Sequence, residues 1–213
     1  MNFNFDTIEN FDDHINKSIP DYDILFNHIV SFSTNFIKNN SIVYDIGSST
    51  GKLIDGIKAE NNDVNFSIYG IEKSKSLSNS HKDIIVENAL NCELENNSAF
   101  ITSVFFLQFL SLDERIQMIQ KIYNSLQKGG CLILCEKIFL ENGFFQDLFT
   151  FNYYDYKKRS FSEKEILKKQ KDLRYIMQPL TEKENLYYLK NAGFRKIESF
   201  WQSLNFKGWI IIK

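Results

Sequence analysis

Ser41-Ile-Val-Tyr-Asp45-Ile-Gly47-Ser-Ser-Thr-Gly51-Lys-Leu-Ile-Asp55 is the stretch on which the fold turns. Its β-branched run breaks at Gly47, and apolar residues at helical spacing follow Gly51. That order predicts a strand, a tight turn and the first turn of a helix. Gly47 lets the backbone turn where a Cβ would clash, while the small Ser48 and Ser49 let a ligand approach the main chain. The helix then opens toward that ligand with free N–H groups. A second strand-like run, Phe66-Ser-Ile-Tyr-Gly-Ile71, ends on Glu72, 25 residues after Gly47. Its carboxylate offers two acceptor oxygens to the two hydroxyls of a ribose. Together these features lay out a nucleoside pocket at the carboxyl ends of two adjacent parallel strands.

Other readings of the glycine turn fit less well. Gly47-Ser-Ser-Thr-Gly51-Lys52 is superficially a phosphate-binding loop, but it is one residue short, and Leu53 stands where a hydroxyl should hold magnesium. A dinucleotide fingerprint needs a third glycine that is absent. Asp45, an acid at the end of the first strand, suits S-adenosylmethionine (SAM) better than NAD. A plain turn without a ligand would leave Asp45 and Glu72 in register to no purpose.

Composition sets the outer bounds. The 213 residues suit one α/β domain spanning 1–213, and 43% hydrophobic with 24% charged residues describes an ordinary globule. A net charge of −2 gives no global attraction to nucleic acid. The amino-terminal Met1-Asn-Phe-Asn-Phe-Asp-Thr7 has neither the basic start nor the apolar core of a signal peptide, and no apolar run reaches membrane-spanning length. Three sparse cysteines, Cys92, Cys131 and Cys135, suit a reducing cytoplasm and read as buried hydrophobes. His14, His28 and His81 have no metal-ligand spacing, so no metal is expected. No histidine falls in the expected pocket, and no general base is assigned.

The elements alternate. A helical segment occupies the region 1–38, with its clearest periodicity from Asp23 to Ile37. After Glu72 a polar helix should run to about Asn79, followed by a short strand over Asp83 to Glu87. The apolar run Ala99 to Phe106 predicts a buried central strand. Leu112 to Leu126 predicts a helix stopped by Gly129-Gly130, and Cys131 to Glu136 a fifth strand. Ser162-x-x-Glu165 and Thr181-x-x-Glu184 are capping boxes, each opening a helix, and Gly193 closes the second. Arg195 to Trp201 and Phe206 to Ile212 predict a closing antiparallel pair. The expected fold is a doubly wound, mostly parallel seven-stranded sheet with an antiparallel last strand. That is the Rossmann-like topology of the SAM-dependent methyltransferases, here with a helical cap inserted at about 140–180. Seven aromatics lie within the thirteen residues Phe144 to Tyr156, and Lys157-Lys158-Arg159 follows. Such aromatics usually serve a core or a dimer surface, and lysine runs a solvated face. Over the strand ends they would instead offer an aromatic wall and cations to an acidic substrate.

Several segments go beyond the generic fold. Phe11-Asp12-Asp13, Ser18-Ile19-Pro20-x-Tyr22, Leu107-Gln108-Phe109-Leu110, Lys121-Ile122-Tyr123, Glu136-Lys137, Phe161-Ser162-Glu163, Asn191-Ala192-Gly193-Phe194 and Asn205-Phe206 resemble the signatures of the carboxy-S-adenosylmethionine synthases. The resemblance covers nearly the whole chain. It implies that SAM and prephenate are converted to carboxy-S-adenosylmethionine and phenylpyruvate, for use by a second enzyme in tRNA wobble-uridine modification. This chain would then need no direct contact with nucleic acid or membrane, and a homodimer is implied. By the same resemblance Tyr22, Asp45, Gly47, Ser48, Ser49, Gly51, Glu72 and Lys73 line the cofactor site, with Ala89, Leu90 and Val104 around the adenine and the fourth strand's end. Glu72 replaces the usual Asp, Ala89 an acid, and Val104 an Asn found in some relatives. Gln170 stands where relatives carry the arginine that pairs with the carboxylate of carboxy-S-adenosylmethionine. Lys169, Lys171 or Arg174 would have to supply the charge there. The alternatives are a divergent methyltransferase acting on a small molecule and a catalytically silent binding subunit.

Overall fold

Val43, Tyr44 and Ile46 are buried, and their alternating side chains feed two different cores, so Ile42–Ile46 forms the central strand β1. Around it a computed structural model describes residues 10–78 and 81–213. Helices α1 (Phe11–Ser18) and α2 (Tyr22–Ser33) precede β1. After it come α3 (Lys52–Glu60), β2 (Ser67–Glu72), α4 (Lys75–Ser78), β3 (Ile84–Val86), β4 (Ser98–Val104) and α5 (Leu112–Ser125). The chain continues through β5 (Leu126–Phe139), α6 (Gly143–Lys157), α7 (Glu163–Leu173), β6 (Leu180–Thr181), α8 (Glu182–Ala192), β7 (Lys196–Ser203) and β8 (Phe206–Ile212). Residues 1–9 of the expected amino-terminal helical segment, and the end of the helix expected to reach Asn79, lie outside the described residues.

The sheet runs β3-β2-β1-β4-β5-β8-β7. The pairs from β3 through β5 are parallel, and β8 is antiparallel to both its neighbours. Seven strands were expected on the path and seven lie on it. An eighth, the two-residue β6, pairs with Ile138 and Phe139 at the end of β5. So short a strand has no periodicity of its own to read. The face carrying Val43, Phe100, Ile133 and Cys135 packs with Leu25, Ile29, Leu53, Ile54 and Tyr153. The other face, with Tyr44, Ile101, Leu132 and Leu134, packs with Met118, Ile122, Leu189 and Phe194. Strands covered on both faces read as continuous apolar runs, which is why β4 and β5 were legible.

Two boundaries differ from expectation. The fourth strand stops at Val104, because Phe105 turns left-handed at φ 56° and sends the chain across the strand ends. Helix α5 ends at Ser125, one residue before the Leu126 expected, and the fifth strand, expected from Cys131, already begins at Leu126. The Ser125 hydroxyl donates to the carbonyl of Glu95 at 2.6 Å and shares a 2.8 Å bond with Ser98, tying the helix end to the start of β4. Gly129 and Gly130 instead belong to β5 and exchange backbone bonds with Lys213. Both capping boxes are formed, and Ser111 with Glu114 makes a third at the start of α5.

Candidate functional site

The carboxyl ends of β1, β2 and β4 bring the expected cofactor residues together. Gly47 (φ 77°) and Gly51 (φ 84°) adopt conformations open to glycine, and a Cβ on Gly47 would lie 2.7 Å from the Phe106 ring. Ser49 is left-handed as well, at φ 50°. The two oxygens of Glu72 accept the backbone N–H groups of Ser49 (3.2 Å) and Ser74 (2.8 Å). Glu72 therefore braces the loop, and each oxygen keeps a second lone pair for a ligand hydroxyl. Asp45 is 3% exposed and accepts the Thr102 hydroxyl at 2.7 Å. Burial pushes its carboxyl up to about 6; the Thr102 bond opposes the rise and the Glu72 charge adds to it. Lys52, the residue that would reach phosphates in a P-loop, lies 5.3 Å over the Phe26 ring of α2.

The hydroxyls of Ser48 and Ser49, in the turn that follows β1, are buried with no hydrogen-bond partner among the described residues. Buried polar atoms left so are costly, and a polar ligand lying against the main chain would satisfy them. The cradle thus fits the ribose and amino-acid portions of SAM. Tyr22 opens α2 beside it, its phenol pushed up by burial and then by the charges of Asp45 and Asp12. Ala89 is buried and Leu90 half-buried in the core under the neighbouring turn. Lys121 holds that turn by donating to the carbonyls of Ala89, Leu90 and Cys92 at 3.2, 2.6 and 2.9 Å. Val104 ends β4, and Lys73 is exposed at the rim.

Helix α1 roofs the site. Asp12 accepts the Thr50 hydroxyl of the glycine loop at 2.9 Å. The Tyr153 and Tyr156 hydroxyls of α6 donate to the carbonyls of Ser18 (2.9 Å) and Asn16 (3.1 Å). His14 sits against Phe161 and accepts from Lys169, so one histidine does reach the pocket region, contrary to the sequence expectation. Burial and the charges of Lys169 and Lys157 push its imidazole down to about 4, which leaves it neutral. Of the four residues in and just after α7 expected to meet a carboxylate, Lys169 and Gln170 are half-buried, and Lys171 and Arg174 are exposed. The Lys157-Lys158-Arg159 run is split: Lys158 pairs with Asp155 and Glu163, whereas Lys157 is buried. A solvated run was expected; the last turn of α6 instead faces the core under α7.

A buried network missed from the sequence shapes the far wall. Leu107 N–H donates to Glu136 at 3.0 Å, and the Lys137 N–H donates to the Gln108 side chain at 2.8 Å. Arg115 donates to the carbonyls of Leu107 (3.1 Å) and Gln178 (2.7 Å). Burial pushes Glu136 up to about 8, against the pull of Arg115. A polar Gln and Glu inside apolar runs was the available signal. A separate cavity of about 690 Å³, bounded by Phe139, Phe145, Phe149, Leu186 and Tyr187, opens between α6 and α8; no expected cofactor residue lines it.

No family model matches the chain. It is 32% identical to a carboxy-S-adenosyl-L-methionine synthase of Staphylococcus epidermidis, over 97% of this chain and 94% of that one. It is equally 32% identical to the protein of the same name from Nautilia profundicola, over 95% and 90% of the two chains. Among solved structures, a SAM-dependent methyltransferase from Archaeoglobus fulgidus matches with a TM-score of 0.61 and 12% identity, over 90% of this chain and 94% of that one. Human N-acetylserotonin methyltransferase in complex with SAM matches with a TM-score of 0.59 and 12% identity, over 90% of this chain and 52% of that one. At such identity these structures speak for the fold alone.

Proposed function

The chain belongs to the carboxy-S-adenosyl-L-methionine synthase family and is a transferase that uses S-adenosylmethionine, and from that premise we propose that it joins the carboxyl group released by prephenate to the methyl carbon of SAM, leaving phenylpyruvate and water. The bound sulfonium supplies the activated methyl carbon. The residues of this chain bind, orient and enclose. Tyr22, Asp45, Gly47, Ser48, Ser49, Gly51 and Glu72 hold the cofactor, with Lys73, Ala89, Leu90 and Val104 at its edges. Lys169 and Gln170 lie on the side of α7 that meets the product carboxylate, and Lys171 and Arg174 flank them. A second enzyme would pass the carboxymethyl group to tRNA wobble uridine, so this chain needs no nucleic acid.

One observation carries the reading. Segments that resemble the family signatures are far apart in sequence, yet hydrogen bonds tie them together or to the glycine turn. Asp12 of Phe-Asp-Asp accepts from Thr50 of the glycine turn, Gln108 of Leu-Gln-Phe-Leu accepts from Lys137 of Glu-Lys, and the Asn205 carbonyl accepts from Ile138, the residue after Lys137. The whole chain acts as one SAM-binding unit, capped by the region 140–180. It works in the cytoplasm, where Cys92, Cys131 and Cys135 stay free, and as a homodimer joined through the exposed aromatic face of α6.

A second reading, a divergent methyltransferase acting on a small molecule, is favoured by Gln170, which carries no charge. Mass spectrometry of the small molecule released on denaturation, followed by incubation with prephenate, separates the two. Carboxy-S-adenosylmethionine, or prephenate-dependent consumption of SAM, is the expected result. S-adenosylhomocysteine formed regardless of prephenate moves the assignment to the methyltransferase.

A further inference from the structure

Two lysines lie buried where the mechanism above gives them nothing to do. Lys137, near the end of β5, is 8% exposed, and Lys157, the last residue of α6, is 6% exposed. Both ammonium groups face one ring: the Tyr153 centroid is 5.0 Å from Lys137 Nζ and 5.5 Å from Lys157 Nζ. Phe206 stands 5.7 Å from the first and Phe161 5.3 Å from the second. Among the described residues no carboxylate forms an ion pair with either, whereas Lys207, on the neighbouring strand β8, pairs with Glu182 at 2.7 Å. Burial and their mutual repulsion push Lys137 down to about 8, and burial does the same to Lys157. Lys169, pushed down to about 7 by burial and by Lys157, adds a third ammonium beside the neutral His14.

Aromatic faces attract a cation, but a single ring does not offset the burial and mutual repulsion of two. A fold gains nothing from holding these charges together unless something anionic joins them. The cluster also stands in the right place. By strand alternation Lys137 shares the face of Cys135, and Asp45 that of Val43; Cys135 and Val43 belong to the one core cluster against which Tyr22 packs. Helix α1 reaches the glycine loop through Asp12 and the cation cluster through His14. A small molecule held by the lysines would therefore lie beside the cofactor cradle, under one roof.

We infer that Lys137 and Lys157 form the receptor for the acidic co-substrate, each meeting one carboxylate of a compact dicarboxylic acid whose ring rests among Tyr153, Phe161 and Phe206. The inference rests on the reading of the chain as a SAM-dependent enzyme with an acidic co-substrate, and it assigns that co-substrate to residues outside the α7 set.

The test is calorimetric titration of the full chain with SAM, and then of the SAM-loaded chain with prephenate and with malonate. The variants are Lys137→Met, Lys157→Met and, as a control on the exposed side of α7, Lys164→Met. Each buried variant should weaken binding of both dianions at least tenfold while SAM affinity stays within twofold, and the control should change nothing. Lys137→Arg should restore much of the loss. Removing a buried charge should also raise the Tm of each Met variant, whereas lysines serving only as structural anchors would lower it. Undiminished dianion binding in both Met variants overturns the inference, as does a wild-type protein that binds neither dianion. Lysine-dependent binding of malonate without prephenate turnover would uphold the dianion site and sink the proposed reaction. Turnover of prephenate that is indifferent to both lysines would do the reverse.

Discussion

At Glu136 a buried carboxyl holds the Leu107 turn in place, and its second oxygen has no hydrogen-bond partner among the described residues. Its folded value of about 8 lies above the ordinary 4.5, so its contribution to stability is full below pH 4.5 and is lost as pH rises through 8. Glu136→Gln keeps an acceptor for Leu107 but cannot titrate. The stability of the wild type relative to this variant should therefore fall between those limits, by up to about 1.4 kcal/mol per pH unit. Urea unfolding of both proteins across that range checks it, and parallel curves would refute it. Comparison with the variant is needed because Lys137 and Lys157 act oppositely: their folded values of about 8 are depressed, so their cost fades as pH rises above that. At position 170, Gln170→Arg should raise the preference for carboxy-S-adenosylmethionine over SAM by roughly tenfold, the worth of a charge-assisted bidentate bond. Competition binding reads that ratio, and an unchanged value would mean that Lys169 or another group already holds the carboxylate. Gly47, Asp45 and Glu72 were legible from sequence because their spacing around one turn is a local pattern. Thr102, the partner of Asp45, was not, since it is 57 residues away.

Among the elements, α1 shows most clearly how packing makes a site. Eight residues cannot sustain an isolated helix, so its order depends on what it touches. Asp12 ties it to the glycine loop, and Tyr153 and Tyr156 tie it to α6. Tyr153→Phe leaves the buried Ser18 carbonyl unpaired, a cost of about 1–3 kcal/mol. Amide exchange across Phe11–Ser18 should quicken and SAM affinity should drop severalfold. Tyr156→Phe, whose bond is less buried, should do less. If exchange in α1 is unaltered in both, the roof is held by other contacts. The capping boxes at Ser162 and Thr181 were readable because caps are encoded within four residues. The end of α5 was readable to within a residue, but not its cause: Gly129-Gly130, the expected stop signal, lie in β5, and the bonds of Ser125 to Glu95 and Ser98 anchor the helix end.

For the molecule as a whole, one side of α6 faces the pocket and the other faces outward. Phe144 is 71% exposed and Phe151 65%, with Phe145 and Leu148 beside them. A contiguous apolar patch of this kind marks an association surface. The chain should therefore sediment as a dimer, and the double variant Phe144→Glu, Phe151→Glu should sediment as a monomer with its SAM affinity retained. A monomeric wild-type chain would remove the dimer from the proposal.

The order of strands and helices, the antiparallel last strand and the glycine turn between Asp45 and the first helix after it were determined by the sequence itself. Each rests on periodicity, turn chemistry or capping within a short window, where the cause lies in neighbouring residues. Tertiary structure alone decided that Lys157 is buried while Lys158 is solvated, that His14 meets Lys169 across 155 residues, and that Lys137 and Lys157 share the Tyr153 ring. Burial and long-range proximity set the charge state and the partner of an ionisable group, and neither is written in the residues beside it.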